Sequence, residues 1–103
     1  MSLDRVTVRR WQADAPPDEA LVRALLAEEG LEAFEWGNAA GELYPPHVHG
    51  YDKVIYVVEG SIAFGLPDGR ASLQAGDRLD LPAGVEHSAS VGPLGVRCLE
   101  AHR

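Results

Sequence analysis

The chain has 103 residues, 46% of them hydrophobic, with a formal net charge of −7 and a pI near 4.9. A chain of this length builds one core and has no room for a second domain, so residues 1–103 are expected to form a single domain. No segment clusters lysine and arginine, which argues against a nucleic-acid or anionic-membrane partner, and no apolar run approaches the ~20 residues that span a bilayer.

Met1-Ser2-Leu3 has the form of a cloning remnant. In residues 4–11, Val6 and Val8 alternate with polar neighbours, which predicts a strand entering from one edge and pairing with the rest of the fold or with another subunit. Asp14 and Pro16-Pro17 then announce a helix. Leu21, Val22, Leu25 and Leu26 form its apolar stripe and Gly30 ends it, so a short amphipathic helix packs outside the sheets. From Leu31 onward, short β runs are broken by glycine, proline and Asp-Gly, the rhythm of an all-β barrel or sandwich. Strands are predicted over 31–37, 42–49, 53–59, 61–66, 70–75, 78–82, 86–91 and 95–101. Pro67-Asp68-Gly69 predicts a hairpin turn, and Gly60 and Gly76 are expected to start tight reversals.

The one cysteine, Cys98, cannot form an internal disulfide, and the N-terminus lacks the pattern of a secretory signal, so a cytoplasmic location is expected. Nothing near Cys98 in sequence would lower its pKa, and it reads as a small buried hydrophobe.

Two blocks carry the chemistry. The first spaces Gly41, His47, His49, Lys53 and Gly60 with five, one, three and six residues between them. The second sets Gly76 five residues before Pro82-Ala83-Gly84, with His87 after two more. Fifteen residues separate the blocks. Histidines one residue apart on a strand point to one side, and imidazole ligates zinc, iron, copper and nickel. His87, returning after the Pro82-Ala83-Gly84 turn, could complete a three-nitrogen face with open positions for water or substrate.

At these blocks, GELYPPHVHGYDKVIYVVEG and GDRLDLPAGVEH, the chain resembles the cupin superfamily over residues 41–91 and by extension over its whole length. The resemblance implies a double-stranded β-helix, or jelly-roll barrel, with His47, His49 and His87 as metal ligands facing the interior. It also implies a homodimer joined through edge strands or sheet faces. Two positions depart from the pattern. Lys53 stands where cupins usually carry a glutamate ligand, and Val91 where the second block usually closes on asparagine.

A protonated lysine cannot coordinate a cation and repels it at close range. Lys53 therefore turns outward or pairs with an acid (Asp52, Glu59, Glu42 or Asp80), lines the pocket as a substrate-orienting or base residue, or marks a centre that no longer binds metal. Asp52, one residue early, faces away by alternation and remains a minor fourth-ligand candidate if a bulge re-aims it. Ala89 and Val91 make one pocket wall apolar, with Ile55, Val57, Phe64, Leu79 or Leu81 and Cys98 as further lining or core residues. His102, outside both blocks, reads as an exposed tail residue.

Three classes of function follow. One is a metal-dependent enzyme, oxygenase-like or isomerase-like, holding iron, zinc, nickel or copper (manganese less well) and acting on a small, partly apolar substrate, with an anionic group where Lys53 orients it. Another is a small-molecule or metal-binding module without turnover. The last is a barrel whose histidines are relics of a lost metal centre, because fold alone does not specify function.

Overall fold

A computed structural model describes residues 5–103; Met1-Ser2-Leu3 and Asp4, the first residue of the predicted N-terminal strand, lie outside the described residues. The elements in chain order are β1 (Thr7–Arg9), α1 (Glu19–Glu28), β2 (Phe34–Asn38), β3 (Leu43–His47), β4 (Lys53–Leu66), β5 (Gly69–Gln74), β6 (Arg78–Leu81) and β7 (His87–His102). All strand pairings are antiparallel.

Two long bent strands organise the barrel. The first half of β4 lies between β6 and the second half of β7, in a layer that continues through β1 on one side and β2 on the other. The second half of β4 lies between β5 and the first half of β7, which also pairs with β3. Each long strand thus crosses from one layer to the other, and this is the jelly-roll architecture expected from the resemblance. Sequence reading divides β4 at Gly60 and β7 near residues 92–94; the backbone continues through both.

Gly60 does not start a reversal. It sits within β4 at φ +77°, where the register with β7 shifts on both sides of it. A Cβ there would lie 2.0 Å from the carbonyl oxygen of Gly95, itself at φ +79°. The glycines let the two backbones touch at the crossing, and the bulges change which residues face inward. Ile55 and Val57 face the interior before the crossing, Ile62 and Phe64 after it. On β7 the inward set changes from Ala89 and Val91 to Val96 and Cys98.

Other turns follow local chemistry. β4 and β5 join through the two-residue loop Pro67-Asp68, with Gly69 opening β5 at φ +135°. Gly76 does turn the chain between β5 and β6. The buried Asp77 holds that corner, accepting the Gln74 and Trp11 amides at 3.1 Å each and the Arg10 guanidinium at 2.9 Å. The N-terminal strand is shorter than predicted, because Trp11 is already committed to Asp77, and it pairs with β6.

Helix α1 begins later than Asp14 suggests. Asp18 is the N-cap, accepting the Leu21 amide at 2.8 Å, and the Gly30 amide closes the far end on the Ala27 carbonyl at 2.9 Å. Its contact stripe is narrower than the predicted four residues. Val22 and Leu26 are fully buried against Val54, Tyr56, Val58 and Leu99, whereas Leu21 is exposed. Each buried side chain contributes roughly 1.5–3 kcal/mol.

Beside the helix, a buried ion network ties α1 to the sheet. Arg78, 1% exposed, bonds Asp80 at 2.6 and 3.2 Å, and its fork also engages Glu29 just past the helix end. Arg103 reaches the same Glu29 at 2.6 Å. These carboxylates raise the Arg78 pKa against the opposing effect of burial. No helix among the described residues is long and apolar enough to cross a membrane.

Candidate metal centre

Three of the four histidines converge inside the barrel. One ring nitrogen from each of His47, His49 and His87 lies within 4.8 Å of the others, and ring centroids are 4.3–5.0 Å apart. His47 ends β3 and is the direct register partner of His87 at the start of β7. His49 lies beyond the strand, two residues farther than the structure extends β3, because Pro45-Pro46 shift the register between Tyr44 and His47. The Gly84 amide donates to the His49 carbonyl at 2.9 Å, so the Pro82-Ala83-Gly84 turn does bring the second block against the first.

Backbone carbonyls set the direction of two rings. Nδ1 of His47 lies 2.7 Å from the Pro45 carbonyl, and Nδ1 of His87 lies 2.9 Å from that of Val85. A carbonyl only accepts, so each Nδ1 carries the proton and each neutral ring keeps a lone pair on Nε2. Nδ1 of His49 is different. It is buried and has no hydrogen-bond partner among the described residues. A buried polar nitrogen left bare costs ~1–3 kcal/mol, which a cation bound there would offset. Burial, reinforced by the positive charge of Lys53, pushes the His49 pKa down. Burial also lowers that of His87, against the raising effect of its bond to Val85. Both rings are therefore biased toward the neutral form that binds metal. Three nitrogen donors with one orphaned buried atom fit a divalent transition metal.

The imidazoles open into a cavity of about 260 Å³. Its walls are mainly apolar or aromatic and include Ile55, Ile62, Phe64 and Ala89. Val57, Leu79, Leu81, Val91 and Cys98 belong to the core around it. Burial pushes the Cys98 thiol up to about 12, so it is chemically inert. Trp36 and Tyr44, which sequence reading leaves unassigned, also line the cavity, and their rings meet edge to face with centroids 6.5 Å apart.

Lys53 does face the cavity, on the same side of β4 as Ile55, and its side chain is 12% exposed. Its partner is none of the four predicted acids. Nζ lies 3.3 Å from Oε2 of Glu100 on β7. Asp80 is taken by Arg78, Glu59 by Arg97 at 2.9 Å, and Glu42 by Asn38 at 2.7 Å. Asp52 is buried away from the site and accepts the Ala83 amide at 2.8 Å, holding the Pro82-Ala83-Gly84 turn.

Glu100 is the residue that sequence reading missed. It is buried and lines the cavity. Strict alternation from His87 would turn it outward; the register change along β7 turns it in. Trp36 Nε1 donates to its Oε1 at 3.0 Å, and His102 Nε2 donates to its Oε2 at 2.7 Å. His102 is correspondingly no free tail. Although 37% exposed, it ends β7, and its ring packs on Tyr51 at 4.0 Å and edge-on to Phe34 at 5.3 Å.

No protein-family model matches the chain, and no curated protein matches it by sequence. Solved structures do. An RmlC-like cupin from Shewanella frigidimarina is 29% identical with a TM-score of 0.62, over 70% of this chain and 64% of that one. The match thus spans less than two thirds of that relative's length. KdgF from Halomonas sp. is 26% identical with a TM-score of 0.60, over 70% and 68% of the two chains. A DUF861 family protein from Thermotoga maritima shares the fold over 96% of this chain and all of its own, at 17% identity and a TM-score of 0.64. The two signature blocks, the crossing strands and these likenesses place the chain in the cupin superfamily.

Proposed function

We propose that the protein is a small metal-dependent cupin, one domain over residues 1–103, in which His47, His49 and His87 hold a divalent transition metal beside a cavity for a small ligand. The observation that carries this reading is the bare, buried Nδ1 of His49 within a cluster whose other two rings are oriented by backbone carbonyls. Iron, zinc, nickel or copper suits three imidazoles, manganese less so. Bound there, the metal would supply Lewis acidity or oxygen activation, giving an oxygenase-like or isomerase-like enzyme. The chain's own residues perform the rest: Lys53 orients an anionic group, Glu100 holds Lys53 in place, and the apolar walls exclude water.

A non-catalytic binding module is the second reading. It is favoured by the cavity's size, which lies below the ~300–1,000 Å³ of ordinary ligand pockets. The protein is further proposed to be cytoplasmic, on its single buried thiol, and to form a homodimer that covers a sheet edge. A monomer mass by light scattering would refute the dimer.

Plasma mass spectrometry after anaerobic loading with iron(II) tests the centre. About one equivalent of metal per chain, lost in His49→Ala, supports it, and oxygen-uptake and isomerase screens on small carboxylates then separate enzyme from module. Absence of metal in both proteins overturns the reading.

A further inference from the structure

We propose that this pocket loads its metal together with a small chelating oxyanion, and that the Lys53–Glu100 pair imposes the coupling. The inference rests on the metal reading above and assigns the ligand a chemical class: a 2-hydroxy- or 2-oxocarboxylate with a compact apolar body.

Among the described residues, Lys53 and Glu100 are the only lysine, arginine, aspartate or glutamate side chains lining the cavity, and they cancel. A divalent cation held by three neutral imidazoles adds two positive charges to a recess walled by Ile55, Ile62 and Phe64. Charge placed without compensation in such surroundings is costly. A cupin-type carboxylate at position 53 would cancel part of it, but this chain has an ammonium there.

Glu100 does not take that role, because both its oxygens are engaged: Oε1 accepts from Trp36, and Oε2 accepts from His102 and is ion-paired with Lys53 at 3.3 Å. No carboxylate oxygen among the described residues joins the three-imidazole cluster. An anionic ligand at the open positions would supply the missing negative charge. Lys53 favours such a ligand, since its ammonium has three donors and contacts one acceptor oxygen here. An anion whose second oxygen lies next to its carboxylate can chelate the cation through two atoms. Its body then rests on the apolar wall of a cavity of about 260 Å³. Coupling between two ligands is reciprocal, so metal tightens anion binding by the same factor as anion tightens metal.

The experiment is calorimetric titration of zinc into the metal-free full chain, alone and with saturating glycolate or acetate, corrected for complexation of zinc by each anion in solution. Glycolate is expected to tighten zinc binding about tenfold or more, within the usual range of coupling, and acetate much less. Lys53→Met and Lys53→Glu remove the ammonium and leave Glu100 uncancelled, so both should bind zinc more tightly than the wild type without anion and lose most of the glycolate effect. Lys53→Met guards against misfolding of the two-carboxylate variant, with circular dichroism as the check. Tight zinc binding that glycolate leaves unchanged, or an undiminished glycolate effect in a folded Lys53→Met protein, overturns the coupling while sparing the metal centre. No zinc uptake with or without glycolate overturns both.

Discussion

His47 and His87 are register partners across β3 and β7, with ring centroids 4.3 Å apart and each Nδ1 turned to a backbone carbonyl two residues earlier in its own chain segment. The two signature blocks thus present equivalent rings to one point, each aimed by its own main chain. Preorganisation of this kind lowers the entropy lost on binding a cation.

Metal should therefore stabilise the fold through these rings. At a free concentration one hundred times Kd, a bound ion adds about 2.7 kcal/mol. Thermal melts of the metal-free protein should rise with added zinc or nickel, and the rise should vanish in His87→Ala. An equal rise in that variant would locate the effect elsewhere.

In the metal-free protein, acidification should destabilise the fold before the carboxylates titrate. His49 and His87 are held below the ordinary imidazole value, chiefly by burial. Unfolded imidazoles take up protons near pH 6.5, whereas these two resist until lower pH in the fold. The unfolded state then binds more protons, so stability falls as pH drops through about 6.5 and levels off below the folded values. Urea midpoints between pH 7.5 and 5.5 should show this fall, and His49→Gln should flatten it. Identical midpoints across that range would refute the expectation.

Arg78→Met should be among the most destabilising substitutions outside the apolar core. It leaves Asp80 buried without its principal cation and Glu29 held by Arg103 alone, and breaking a buried pair on one side costs about 3–5 kcal/mol. Arg97 bridges Glu19, Glu35 and Glu59 at the surface, where solvent screens the charges, and Arg97→Met should cost far less. Urea denaturation of the two variants makes the comparison.

Gly60→Ala should exceed Gly30→Ala in cost. Both glycines have positive φ, worth ~1–2 kcal/mol for a side chain in that region. Only at Gly60 would the added Cβ meet backbone, the Gly95 carbonyl at 2.0 Å; at Gly30 nothing lies within 4 Å. A Gly60→Ala protein as stable as Gly30→Ala would mean that the crossing relaxes freely.

The residues that sequence alone identified are those whose meaning is local. The turns at Gly76 and Pro82-Ala83-Gly84, the spacing of His47, His49 and His87, and the alternation around Ile55 and Val57 are governed by backbone sterics and period-two geometry, which a linear reading captures; Gly60, read as a reversal, is instead a bulge inside β4. The stripe of α1 was legible for the same reason, through Val22 and Leu26. Tertiary structure decided what lies beyond the crossing of β4 and β7. Bulges there change the inward parity, and they bring Glu100 into the cavity beside Trp36, Lys53 and His102, residues up to 66 positions apart. Pairing of buried charges depends on which atoms meet after the chain has bent, so neither Lys53 with Glu100 nor Arg78 with Glu29 could be read from spacing.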